Sequence, residues 1–306
     1  MEILDTTDRF ARLAETPFKT TDAQGLSLPV RGGKFREIYD RRDLLGLLVR
    51  RDLQARYRDS VLGFLWTLIR PIVQFLMYYL VLGQFLRAAE GIPQFAIFLF
   101  AGLTIYSFFA EAVQGATSSI LANAGLVKKI YLPREIFPLA SVGAAGFMFL
   151  VQCVVLLSGA IIFQALPEPV EMLWFFPSVL LILVYALAFG ILLSALNVYL
   201  RDVQYVTDVV MMLAMWGSPI VYSWTMVSEA FKTLGLPAWA LEVYTNNPIT
   251  LGVLGFRKAF WGAGTPADYP DDLLLRMLIA GIIGVVLLYI SHRVFTRLQG
   301  NFAQEM

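Results

Sequence analysis

The chain has 306 residues, of which 58% are apolar and 14% aromatic, and its mean hydropathy is +0.66. Soluble domains sit near half apolar, and several uninterrupted runs here exceed about 18 residues, so the composition excludes an ordinary soluble domain. A net charge of +1 carries no electrostatic footprint for nucleic acid, and one Cys with one His argues against a disulfide framework, a His/Cys metal site or a Ser-His-Asp triad.

Residues 1–37 are polar and hold no apolar h-region, so they read as a flexible cytoplasmic arm rather than a cleavable signal. Residues 38–60 read as an amphipathic helix lying in the membrane interface. On a helical wheel Leu44, Leu45, Leu48, Val49, Leu53 and Ala55 share one half, and Arg50, Arg51, Gln54 and Arg58 the other. Leu47 is the apolar exception, and Asp52 with Arg56 forms an acid-first i,i+4 pair on the apolar half. Such a helix turns its arginines toward anionic headgroups; the segment equally fits a general surface anchor.

Six hydrophobic segments follow at 61–86, 93–117, 138–163, 173–199, 205–222 and 273–291, giving an all-α polytopic membrane domain over 61–291. With both termini cytoplasmic, eighteen Lys/Arg lie inside and five outside (Arg87, Lys232, Arg257, Lys258 and Arg276), as the positive-inside rule asks. Residues 292–306 form a cytoplasmic tail. The outer stretch after the fifth segment is too apolar for a plain loop and is expected to hold short helices that dip into the outer leaflet or cap a pathway. The cytoplasmic stretch 118–137 places Leu126, Ile130 and Tyr131 at helical spacing, which suits either docking in a partner's groove or lying on the lipid surface. Small residues at 140–146 and the pair Gly281/Gly284 permit close helix approach.

Intramembrane charge is the first place to look for chemistry. Arg70 is ~14 Å from the cytoplasmic end of the first segment, and Glu111 ~9 Å from that of the second, at 1.5 Å per residue. The two are expected to pair or to face a hydrated pathway, the alternative being that each snorkels alone. Pro71 should kink the first segment, and Trp216, Pro219 and Tyr222 mark a fifth segment broken near its outer face. Among 23 Phe, 13 Tyr and 6 Trp, the rings of Trp66, Tyr78, Tyr79, Tyr106, Phe108, Phe109, Tyr185, Trp216 and Tyr222 are candidates to contact sugar C–H faces, with lipid contact or packing the competing roles. No GxxxxGK[ST] occurs, so the chain has no P-loop of its own.

Four ordered motifs resemble one family. Arg56-Tyr57-Arg58-x-Ser60-x-Leu62-Gly63-x-x-Trp66, followed by Pro71, is similar to the start of the first span in type-2 ABC exporter permeases of the polysaccharide branch (O-antigen, teichoic acid and actinobacterial galactan). Asn123 followed by Leu126-Val127-Lys128-Lys129-Ile130-Tyr131-Leu132-Pro133-Arg134-Glu135 resembles that branch's first cytoplasmic coupling segment. Asn197-Val198-Tyr199-Leu200-Arg201-Asp202 resembles its second cytoplasmic turn, and Trp216-x-Ser218-Pro219-Ile220-x-Tyr222 its fifth span.

The resemblance implies a six-span permease in the bacterial cytoplasmic membrane, not itself an enzyme. It implies a homodimer around a channel and two copies of a separate P-loop ATPase carrying ATP and Mg. This chain is expected to bind no cofactor, metal or nucleic acid. It further implies outer gate helices within 226–261, and a lipid-pyrophosphate-linked glycan received near Arg50, Arg51, Arg56 and Arg58. Rival readings are a type-2 permease for a drug or lipid, a membrane-embedded glycan-modifying enzyme, and an ion-coupled secondary transporter.

Overall fold

A computed structural model describes residues 42–57, 65–85, 87–129 and 132–305. Every regular element among the described residues is helical. The expected arm 1–37 and both ends of the expected interfacial helix 38–60 lie outside the described residues; within 38–60 the chain forms α1 (Arg42–Tyr57). The first span is α2 (Trp66–Tyr78), which continues as a wider π-type helix over Tyr79–Phe85. After a single turn, α3 (Ala88–Gly91), come α4 (Phe95–Ala122), α5 (Ala124–Lys129) and α6 (Ile136–Ile162). The second half holds α7 (Phe175–Tyr199), α8 (Val203–Trp216), α9 (Trp224–Thr233), α10 (Ala238–Thr245), α11 (Pro248–Phe260), α12 (Leu273–Leu298) and α13 (Phe302–Glu305).

Among the described residues, five helical stretches are long and apolar enough to cross a membrane: 66–85, 95–122, 136–162, 171–199 and 266–301. The fifth expected span differs. Helix α8 has 14 residues, ~21 Å at 1.5 Å per residue, short of a ~30 Å hydrocarbon core. It stops at Trp216 because Gly217 and Pro219 end the helical backbone; the chain runs irregularly to Ser223, whose side chain accepts from the Met226 amide and starts α9. The expected break is therefore present, and it begins within the segment that length alone made a span.

Two helices occupy the centre. Helix α4 packs against α6, α7, α8 and α11, and α7 packs against α4, α11 and α12. Helix α11 begins with Pro248 at its first turn and the Asn247 side chain accepting from the Ile249 amide at 3.1 Å. All of it is buried except Pro248 and Lys258. The apolar composition of α11 is thus spent on the protein core, whereas α9 and α10 keep Met226, Trp239 and Val243 exposed. Of the glycine pair on α12, Gly284 lies where a methyl group would meet the Tyr185 ring at 2.8 Å, while Gly281 faces open space. Tyr185 completes that crossing by donating to the Ala280 carbonyl at 3.0 Å.

The apolar half of α1 also meets protein. Leu48 is buried, and Leu44, Leu45 and Val49 pack on a second apolar cluster with Ile136, Phe137, Val198, Phe295 and Phe302. Leu47, the exception on the wheel, is 64% exposed. Asp52 accepts from Arg51 through Nε at 3.1 Å and Nη2 at 2.7 Å. This cluster closes one end of the bundle, and α11 with the broken segment closes the other.

Candidate functional site

Three helices bring polar side chains to one place. On α2, Thr67, Arg70 and Gln74 fall at i, i+3 and i+7, a single helical face. On α6, Met148 and Gln152 fall one turn apart. On α4, Ser107 and Glu111 do the same, and all seven line one cavity of about 660 Å³ with Trp66 and Pro71 in its wall. Pro71 has no N–H to offer the Thr67 carbonyl one turn back, so this wall also lacks a helical hydrogen bond.

The α4 wall is part of a longer seam. Between Ile97 and Ile120 the residues not buried are Ser107, Ala110, Glu111, Gln114, Gly115 and Ser118. The polar four fall at i, i+4, i+7 and i+11, one stripe along a helix packed on its other sides. Gln114 extends the seam to α8 by donating to the Asp208 carboxylate at 2.8 Å. Arg70 and Glu111 therefore line the same cavity, and Gln114 with Asp208 continues the polar seam beyond it. The i+7 spacing of Gln114 from Ser107 was available in the sequence; its partner on α8 was not.

The aromatic candidates divide. Trp66 stands 44% exposed at the cavity. Tyr78 reaches the Met215 sulfur at 3.8 Å, and Tyr79 stacks on Phe75 with centroids 5.8 Å apart. Tyr106, Phe108, Phe109 and Tyr185 are buried, Tyr106 donating to the Met211 carbonyl and Phe109 meeting Phe189 edge-on. These four rings face protein in this conformation. Trp216 is exposed at the end of α8, and Tyr222 donates back to the Trp216 carbonyl at 2.6 Å.

Around the break a residue appears that sequence reasoning had placed in an outer loop. Arg257, on α11, is 1% exposed. Its Nη1 donates to the carbonyls of Pro219 at 2.5 Å and Tyr222 at 3.4 Å, its Nη2 to that of Ile220, and its Nε to that of Phe98 at 3.1 Å. The guanidinium also lies 3.4 Å from the Phe98 ring centroid, a cation–π contact. The signal for it was an arginine inside an apolar run, TLGVLGFRKAF, which charge counting across a membrane does not register. Nearby, Tyr244 donates to the Tyr222 hydroxyl at 3.3 Å, and burial pushes the Tyr244 hydroxyl well above its ordinary range, so it stays a donor. Farther out, Arg276 pairs with Glu242, and that hydrogen bond holds the Glu242 carboxyl below the usual carboxylate range.

At the α1 end, Arg50 is exposed and Arg51 is occupied by Asp52; Arg58 and the side chain of Arg56 lie outside the described residues. In the 118–137 stretch, α4 runs on to Ala122 and α5 turns Leu126 and Val127 into the second cluster. Those apolar side chains are spent internally, which leaves Lys128 exposed there; Ile130, Tyr131 and the Lys129 side chain are outside the described residues. Arg134 lies 5.5 Å over the Phe302 ring, and Glu135 is 3% exposed. Arg201 and Asp202 are exposed at the turn between α7 and α8. That turn is set by buried Asn197, which donates to the Thr117 carbonyl at 3.0 Å and accepts from the Gln204 amide at 3.2 Å.

An apolar helical bundle that turns one polar seam away from its own core is the architecture of a polytopic membrane protein that handles something polar. Residues 43–261 match the family described as ABC-2 type transporter, and the chain belongs to that family. It is 28% identical to an O-antigen export system permease protein, RfbA, of Klebsiella pneumoniae over 86% of this chain and 94% of the relative. It is 30% identical to the protein of the same name from Myxococcus xanthus, over 89% of this chain and 98% of the relative. A capsule polysaccharide export inner-membrane protein, CtrC, of Neisseria meningitidis serogroup B is 23% identical over 80% and 90%.

Proposed function

We propose that this chain is the permease subunit of an ATP-driven exporter that moves a lipid-pyrophosphate-linked cell-envelope polysaccharide outward across the bacterial cytoplasmic membrane. The observation that carries this reading is the polar stripe on α4, with Arg70 and Gln74 beside it on α2 and Asp208 on α8. Polar and charged groups inside a membrane are costly unless they pair or line a hydrated route, and a polyhydroxylated chain needs such a route. The names of the relatives supply the substrate class.

In this reading both termini are cytoplasmic, so the α1 end is inner and the α11 end outer. The exposed faces of α2 and α8 meet lipid or a second copy of the chain, and two copies enclose the seam. Arg50, Arg51, Arg56 and Arg58 receive the pyrophosphate, since guanidinium groups match phosphate oxygens bidentately. ATP and Mg belong to a partner P-loop ATPase, two copies per exporter, which pushes on α5, Lys128, Arg134 and the Arg201/Asp202 turn. This chain supplies the path and does no bond chemistry.

The test is to purify the tagged chain in mild detergent and to deplete it in cells. A co-purifying P-loop ATPase and lipid-linked glycan accumulating in the cytoplasmic leaflet are the expected results. A chain that is fully active with no ATPase bound and none required sinks the reading.

A further inference from the structure

Arg257 sets a physical problem that its surroundings solve in one way only. A fully buried guanidinium must have its donors satisfied, and among the described residues it forms no ion pair. Its acceptors are instead the carbonyls of Pro219, Ile220 and Tyr222, left without helical partners where α8 breaks, together with Phe98 of α4. Carbonyls at a helix C-terminal end carry partial negative charge, so the broken end of α8 offers a cation the complement it needs. Each side depends on the other: without Arg257 the carbonyls are buried orphans, and without the break the charge has no acceptors.

Two further features fit this. Gly102 of α4 lies where a methyl group would meet Arg257 Nη2 at 2.9 Å and the Ile220 carbonyl at 3.0 Å, so any side chain here makes the guanidinium or the carbonyl it holds shift. Asn247, at the start of α11, donates to the Ser218 hydroxyl at 3.5 Å, a second tie between the same two elements. The break, α11 and the start of α4 are thus joined through one side chain with five donors.

We propose that Arg257 is a positioning residue that welds the broken segment 217–223 to α11, so that the outer end of the pathway moves as one body and stays sealed at rest. This rests on the permease reading above. The alternative, in which the end opens by straightening α8, requires the carbonyls to leave Arg257 and strands a buried charge, a loss too large for a resting fluctuation. Trp216 precedes the segment and Tyr222 lies within it, and the two are held together and to α10 through the Tyr222–Trp216 and Tyr244–Tyr222 hydrogen bonds.

The assembled exporter, full chain with its ATPase, reconstituted in vesicles holding a sulfonated fluorescent dye, is the system to test. Without ATP, Arg257→Gln is expected to raise dye leak by about tenfold or more, the factor that follows when a site with a few kcal/mol at stake is loosened. Arg257→Lys should be intermediate, because one ammonium cannot span the fan of carbonyls, and Gly102→Ala should leak with the arginine still present. ATPase co-purification should be unchanged in all three. Should these chains fail to accumulate, the wild-type Arg257 background carries the test: a disulfide between Ser218→Cys and Asn247→Cys should leave glycan transport within about twofold of the reduced form, since a welded pair loses nothing by being locked. Variants as tight as wild type, or a disulfide that stops transport and releases it on reduction, overturn the weld while leaving the permease reading standing. Loss of ATPase association and of transport in the unmodified chain overturns the permease reading itself.

Discussion

Phe302→Ala loosens α5 at the α1 end of the bundle, and trypsin then cuts after Lys128 about a hundredfold faster than in the wild-type chain. The reason is the position of one ring. Phe302 is 0% exposed, four residues past the end of α12, and meets Phe295 edge-on at 5.6 Å and Tyr199 at 6.1 Å. Arg134 lies over it, and Tyr199 donates to the Leu298 carbonyl at 2.7 Å. One side chain therefore joins the stretch before α6, the end of α7 and the end of α12. Removing a buried phenyl group costs about 3–5 kcal/mol, and the loss falls on the smaller of the two apolar clusters, where it is a large share of what holds α5 and α1 in place. Phe302→Leu should keep most of the protection, and Arg134→Gln should lose a little of it. Equal cleavage rates in Phe302→Ala and wild type sink the argument. In the proposed exporter this same region takes the thrust of the ATPase, so the variant should also hydrolyse ATP with less transport per turnover.

What the sequence made legible, and what it did not, follows from the range of the forces involved. The long spans were readable because hydropathy is a local sum over a window, and α6, α7 and α12 lie close to where those sums put them. Helix α1 was readable because amphipathicity is local too. The wheel did not say what covers its apolar half, because Phe137 and Phe302 are distant in sequence. The break after Trp216 was readable from Gly217 and Pro219, yet the same apolar window hid that the helix there, α8, has only 14 residues. Arg70 and Glu111 were found as charges out of place. Arg257 was missed because its solvation comes from backbone carbonyls on another element, which leave no trace in residue types. Phe302 was missed because the 292–306 tail is read as a whole, and one buried ring past the end of α12 carries no periodicity. Tyr106 and Phe109 show the converse: aromatic character alone cannot say whether a ring faces a route or a core.

The cavity between α2, α4 and α6 gives the other large effect. Glu111→Lys sets a second cation against Arg70 in a space of about 660 Å³ inside the membrane span, and transport should fall by at least about tenfold, given the few kcal/mol that an uncompensated charge costs at such depth. Arg70→Glu should fall similarly, since it faces the seam that already holds Glu111 and Asp208. The informative chain is the double exchange, Arg70→Glu with Glu111→Lys. If the two positions act through each other across the cavity, the exchange restores the charge balance, and transport should recover well above either single variant. Residues that act independently give multiplicative losses instead, so a double variant worse than both singles shows that each serves the route alone. Glu111→Gln separates charge from shape in the same series. It keeps the side chain's length and hydrogen bonding, and it should retain more transport than Glu111→Leu, because a hydrated seam tolerates a neutral polar group and an apolar one interrupts the water that a glycan's hydroxyls must replace.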